Sequence, residues 1–176
     1  MIRIIADSSS LILLTKCGLI GTVCVLFDVI VPPAAVMEVA SEKLVKRFPD
    51  AAALSDLIEQ GKITVQSPGD IELSLSISIH QGEREALALA QRLEGALLAT
   101  DDGKAIKAAK FLKIPFIITP KIVTELFRLG RISFKKGRSS LEILGKIGRY
   151  SPEILADALA LMMEEKDGKA DHNKNT

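Results

Sequence analysis

A three-layer α/β/α sandwich around a central parallel sheet is the fold class this sequence predicts, and three observations predict it. Five short apolar segments read as strands, each is followed by apolar residues at helical spacing, and the apolar content is aliphatic, with six Phe, one Tyr and no Trp. Strands that alternate with helices pair in parallel through right-handed crossovers, which covers both faces of the sheet with helices. The chain has 176 residues, 48% hydrophobic and 26% charged, enough apolar surface to bury a real core and too much for a disordered chain. It reads as one domain over residues 1–165, followed by a polar, charged tail over 166–176 that is expected to be disordered.

The predicted strands are Ile2 to Ala6, Val29 to Val31, Ile63 to Gln66, Ala96 to Thr100 and Phe116 to Thr119. The third is short and preceded by Gly61-Lys62. Between and after them, Leu87, Ala90, Leu93 and Leu97 form one stripe at helical spacing, and Leu126, Leu129 and Ile132 another. A third, Ile154, Leu155, Ala158, Leu161 and Met162, belongs to a last helix over Glu153 to Met163. All three are expected to face the core, although the last is broad enough to include an interface. Pro32-Pro33 starts a helix after the second strand, because proline at the first helical positions lacks only an amide hydrogen that would be orphaned there. Ser151-Pro152-Glu153 opens the last helix in the same manner.

Several function classes are excluded or left without support. The formal charge of +1 gives no global field for a polyanion, so any nucleic-acid contact has to come from a local basic patch. Cys17 and Cys24 form no C-x-x-C pair and lie in an apolar stretch, which reads as two buried thiols in a reducing compartment rather than a zinc site. The N-terminus lacks the pattern of a signal peptide, and the apolar run from Cys17 to Val31, cut by Gly18, Gly21 and Asp28, is shorter than the roughly 20 residues a membrane span needs. A cytoplasmic protein with no membrane partner is the expectation. There is no G-x-x-x-x-G-K-[ST] loop and no G-x-G-x-x-G after a strand, which argues against a nucleotide binder.

The chemistry sits in the acids. In an open α/β sheet, ligands bind beyond the carboxyl ends of the strands where strand order reverses. Asp7 ends the first strand and is followed by Ser8-Ser9-Ser10, which suits a helix N-cap as well as a metal or phosphate site. Asp101-Asp102-Gly103 closes the fourth strand; capping explains one acid, but two adjacent carboxylates repel unless a cation is near, the competing reading being an Asp-Gly turn with one solvated acid. Glu38 stands within an otherwise apolar helix after Pro32-Pro33, where it points to a cavity or to water, or is a surface glutamate. Glu83 and Glu85 open a further helix, where acids also favour the helix dipole. Four acidic stations at strand ends or early in the following helices converge on one crevice if the sheet is parallel. All-oxygen ligation selects a hard cation, Mg2+ or Mn2+, which would activate water against a phosphodiester. Neither His80 nor His172 fits a catalytic triad.

These residues resemble the PIN-domain nucleases, which include the toxin halves of many prokaryotic toxin–antitoxin pairs. The resemblance rests on residues 4–12 (IIADSSSLI), 31–39 (VPPAAVMEV), 82–90 (GEREALALA) and 98–105 (LATDDGKA), in that order and spacing. It implies a five-stranded parallel sheet of order 3-2-1-4-5 with helices on both faces, an endoribonuclease dependent on Mg2+ or Mn2+, often a dimer, and an antitoxin as protein partner. Carried onto this chain, the metal-binding and catalytic acids are Asp7, Glu38, Glu83 and Asp101 or Asp102. Ser9 falls where the family often has Ser or Asn near the metal, and Thr119 resembles a Thr that follows the fifth strand. The family often has Asp at the third station, so Glu85 is an alternative to Glu83.

Lys104, Lys107 and Lys110, with the Lys135, Lys136 and Arg138 cluster, are candidates for RNA phosphate contact, against the reading of a solvated helix face and a charged loop. The alternative to a nuclease is a catalytically inactive PIN-like RNA-binding or scaffolding protein, which predicts neither cleavage nor metal.

Overall fold

The computed structural model describes residues 2–70, 73 and 78–172. Its elements run β1 (Ile2–Ala6), α1 (Ser8–Lys16), α2 (Ile20–Leu26), β2 (Phe27–Val31), α3 (Pro33–Ala40), α4 (Glu42–Val45), α5 (Pro49–Glu59) and β3 (Ile63–Val65). They continue with α6 (Gln81–Arg92), β4 (Leu97–Ala99), α7 (Gly103–Phe111), β5 (Phe116–Ile117), α8 (Thr119–Arg128), α9 (Phe134–Ile147) and α10 (Pro152–His172). The chain divides into two compact units, Met1–Ile118 and Thr119–Thr176.

The first unit carries the sheet. All four strand pairings are parallel and the order is β3-β2-β1-β4-β5, as the resemblance implies. Right-handed crossovers carry the chain from β1 through β2 to β3 along one face, then back across to β4 and β5 along the other, which gives the α/β/α sandwich. Strand order therefore reverses between β1 and β4, the two neighbours whose ends bear acids. In register, Ile5 lies beside Ile30 on one side and Leu98 on the other. These three side chains form a core with Leu87 and Leu89 of α6 and Ala109 of α7.

The strands that the sequence predicts are all present, with shifted ends. β2 begins at Phe27, two residues early, because Asp28 sits opposite Arg3 in the ladder and pairs with its guanidinium at 3.4 Å rather than interrupting the strand. β4 and β5 are shorter than expected, and Thr119 opens α8 instead of ending β5. Two helical stripes overrun their helices. α6 stops at Arg92, so Leu93 is its C-cap and Leu97 belongs to β4, the turn between them being made by Gly95 at φ 75°. α8 stops at Arg128, which leaves Leu129 exposed beyond it.

The second unit packs α8, α9 and α10 on one another. In α10, Ala158 and Met162 are buried one turn apart, whereas Ile154 and Leu161 are exposed, so the stripe is narrower than its apolar content suggests. Met162 lies against Gly137 of α9 so closely that a Cβ there would stand 2.2 Å from its methyl carbon. The helix runs on to His172; residues 173–176 lie outside the described residues. Cys17 is buried and Cys24 partly so, and burial pushes the Cys24 thiol up to about 11. Among the described residues, no single helix is long and apolar enough to cross a membrane.

Candidate functional site

The crevice beyond β1 and β4 is built from the strand ends outward. Ala6 and Ala99 are partners in the ladder, and the Asp7 amide still donates to the Ala99 carbonyl at 3.1 Å, so Asp7 and Thr100 leave the sheet side by side. Asp7 is fully buried. It is the N-cap of α1, its Oδ1 accepting from the Ser10 amide at 2.9 Å, and the same oxygen accepts from Ser9 Oγ at 2.7 Å. The hydroxyl of Thr100 donates to Oδ2. Ser10 Oγ ties the α1 turn to the Ala99 carbonyl at 2.9 Å. Capping and a functional role thus coexist at Asp7. Desolvation outweighs these hydrogen bonds, and with the neighbouring charge of Asp101 it raises the Asp7 carboxyl from 3.8 to about 6.

The acid pair divides its work. Asp102 caps α7, its Oδ1 accepting from the amides of Lys104 and Ala105 at 2.8 and 2.9 Å. The Asp101 amide is held by Ser9 Oγ at 2.9 Å, and the Asp102 amide by Thr100 Oγ1 at 3.3 Å. Ser9 therefore couples the first strand end to the fourth. Thr100, the last residue of the fourth predicted strand, has the same bridging role; its place between an apolar strand and two acids is the signal that the sequence offers.

Glu38 projects from α3 toward the start of α6. Its Oε1 accepts from the Gly82 amide at 3.2 Å and its Oε2 from the Ser8 hydroxyl. The approach requires glycine, because a Cβ on residue 82 would meet Ser8 Oγ at 2.8 Å and both Glu38 oxygens at 3.0 Å. Glu83, one residue on, is 7% exposed. It accepts from the backbone N–H of His80, the helix N-cap, as the acid of a capping box does, but its Oε2 is buried and has no partner among the described residues. Burial first, then the charges of Asp102 and Glu38, raise its carboxyl above the ordinary value, while His80 acts the other way. Glu85 faces elsewhere: Oε2 accepts from the Ala34 amide of α3 at 3.0 Å and Oε1 from Gln81 Nε2 at 2.9 Å.

The acids consequently form two electrostatically linked groups, Asp7 with Asp101, and Glu83 with Glu38 and Asp102. Among the described residues, no three acidic, histidine or cysteine side chains stand ready around a single point as a metal cage. The donors are nevertheless all hard oxygens, and the orphaned Glu83 oxygen beside two like charges is the environment a hard cation relieves. Of the other candidates, Lys104 is exposed in the first turn of α7, and Thr119 begins α8 in the second unit with its side chain fully buried. His80 lies closer to the chemistry than its lack of triad spacing suggests, since its charge acts on Glu83.

Fold and crevice define an α/β protein with carboxylates gathered at the switch point of a parallel 3-2-1-4-5 sheet. The chain belongs to the PIN domain family, which it matches over residues 3–164. PIN domains are typically nucleases and generally use divalent metals. No curated protein gives a significant match.

Proposed function

We propose that the protein is a Mg2+- or Mn2+-dependent endoribonuclease, with Asp7, Glu38, Glu83 and the Asp101/Asp102 pair around the cation. The observation that carries this reading is the buried Oε2 of Glu83, which has no hydrogen-bond partner among the described residues and feels the charges of Asp102 and Glu38. Keeping such an oxygen buried costs about 1–3 kcal/mol, which a purely structural acid has no reason to bear. A hard dication held there would supply charge neutralisation and would activate water toward a phosphodiester at neutral pH.

The chain's own residues orient and hold. Ser9 and Thr100 fix the direction of both Asp7 oxygens, and Ser8 with the Gly82 amide fixes those of Glu38. Lys104 and Lys107 are exposed three residues apart on α7, immediately after the capping acid Asp102, and face solvent where they can take the phosphates of a single strand. Phe111, one turn beyond Lys107 and 73% exposed, offers that strand an aromatic surface for a base.

The test is cleavage of single-stranded RNA by the purified chain. Manganese or magnesium is expected to be required and a chelator to stop the reaction; cleavage that persists in chelator overturns the metal assignment. Lys104→Ala and Lys107→Ala are each expected to weaken RNA binding evenly across sequences and to lower the slope of log affinity against log salt by about 0.7, the single-strand value per phosphate contact. An unchanged slope removes that lysine from the RNA path.

A second reading, a catalytically inactive PIN-like RNA-binding or scaffolding protein, draws support from the lack of a ready three-ligand cluster among the described residues. It predicts RNA binding that manganese does not affect, and no cleavage. The toxin half of a toxin–antitoxin pair is the biological setting we propose for the active form, with a second copy of the chain and an antitoxin as protein partners.

A further inference from the structure

α3 and α6 share an uncommon arrangement at their starts. Neither has a side-chain cap from its own N-cap residue, Pro32 in one case and His80 in the other. Each instead takes a glutamate from the other helix. The Ala34 amide, in the first turn of α3, donates to Glu85 of α6 at 3.0 Å. The Gly82 amide, in the first turn of α6, donates to Glu38 of α3 at 3.2 Å. Four orphan amides begin every helix, and each helix here satisfies one of them with an acid from the other, which also sets negative charge against both positive dipole ends. Gln81 Nε2 holds the second oxygen of Glu85 at 2.9 Å and so fixes its rotamer. The absent Cβ of Gly82 makes the other arm short enough to close.

We propose that Glu85 is a positioning residue, one arm of a reciprocal clamp through which α3 and α6 set the spacing between Glu38 and Glu83. The inference rests on the proposed metal-dependent reading for its consequence, though not for the clamp itself. Glu38 lies one turn beyond Ala34, and Glu83 lies one residue beyond Gly82 and two before Glu85. Loosening either arm therefore lets the two acids drift relative to each other. Glu85 is thereby separated from the ligand role that its position in the sequence also permits, since both of its oxygens are engaged with α3 and Gln81.

The experiment uses the full chain, with amide hydrogen exchange in the absence of metal and with manganese titrated calorimetrically. Glu85→Ala is expected to strip protection from the Ala34 and Gly82 amides together and to weaken manganese binding about tenfold, the scale on which groups that orient metal ligands act. Glu85→Gln keeps an oxygen for the Ala34 amide and is expected to hold manganese nearly as the parent does. Gly82→Ala leaves Glu85 untouched, pushes Glu38 from its amide, and is expected to weaken manganese binding like Glu85→Ala.

The clamp is overturned if Glu85→Ala leaves Gly82 protection unchanged, or if Gly82→Ala binds manganese as the parent does. Equal losses in Glu85→Gln and Glu85→Ala overturn it too, because they mark the charge of Glu85, hence direct ligation, as what matters. If Glu85→Ala does not fold, the Gln and Gly82 variants decide. A parent chain that binds no manganese defeats the metal reading, while amide exchange still decides the clamp.

Discussion

Asp7→Asn is expected to lower RNA cleavage by more than about a hundredfold and, in the same protein without metal, to raise the melting temperature at pH 8. Orienting groups around a metal are commonly worth about ten- to a hundredfold, and a direct ligand exceeds them. The stability gain follows from burial. Asp7 is fully buried, and its carboxyl is raised from 3.8 to about 6, so the folded chain holds the proton more tightly than the unfolded chain does. Stability therefore falls as pH rises from about 4 to about 6, and above that the whole penalty is present. A difference of this size corresponds to about 3 kcal/mol. Asparagine removes the charge but loses an acceptor, because Ser9 and Thr100 donate to different oxygens of Asp7 and the amide nitrogen that replaces one of them can only donate. A net gain of about 1–2 kcal/mol remains, or about 2–8 °C for a chain of this size. At pH 4 the advantage is expected to vanish. A variant that cuts within tenfold of the parent removes Asp7 from the cation site, and one no more stable at pH 8 removes the buried charge as a cost.

That pairing of function against stability was partly visible in the sequence. Asp7 after Ile4-Ile5-Ala6, and Asp101-Asp102 after Leu98-Ala99-Thr100, announce acids at strand ends, and parallel pairing puts them together once β1 and β4 are neighbours. Short apolar runs followed by apolar residues at helical spacing carry the layers, because strands covered on both faces are apolar throughout whereas the covering helices need only one apolar stripe. Helix ends were less legible: a stripe such as Leu87, Ala90, Leu93, Leu97 continues past the helix without any change in hydrophobicity, although α6 already ends at Leu93, whose backbone is extended, and the turn follows at Gly95. Nor does spacing distinguish Glu83 from Glu85. Both lie in the first two turns of α6, and what separates them is the Ala34 amide, 51 residues before Glu85 in the chain. Contacts of that range leave no periodic trace. The same holds for Thr100 and Gly82, one an ordinary strand residue and the other an ordinary glycine until Asp7 and Glu38 arrive beside them.

Glu83→Gln is expected to be the variant that best separates a ligand from a helix cap. Glutamine retains an oxygen for the His80 amide, so the capping bond survives, and the neutral side chain removes the repulsion from Asp102 and Glu38. If Glu83 served only to start α6, the exchange would cost little. Because its carboxyl is raised by burial and by those two acids, the parent chain loses stability as pH climbs past the ordinary glutamate range, and the Gln variant does not. The metal-free variant is thus expected to melt above the parent at pH 8, with the difference closing as the medium is acidified. Manganese reverses the ranking. At a hundred times its dissociation constant the ion stabilises the parent by about 2.7 kcal/mol, roughly 5–11 °C for a chain of this length, and most of that increment is expected to disappear in the variant. Cleavage is expected to fall by more than about a hundredfold alongside it. Retention of the full manganese increment in Glu83→Gln would leave the orphaned oxygen without a cation to explain it, and the ligand set would have to be drawn from Asp7 and Asp101 instead.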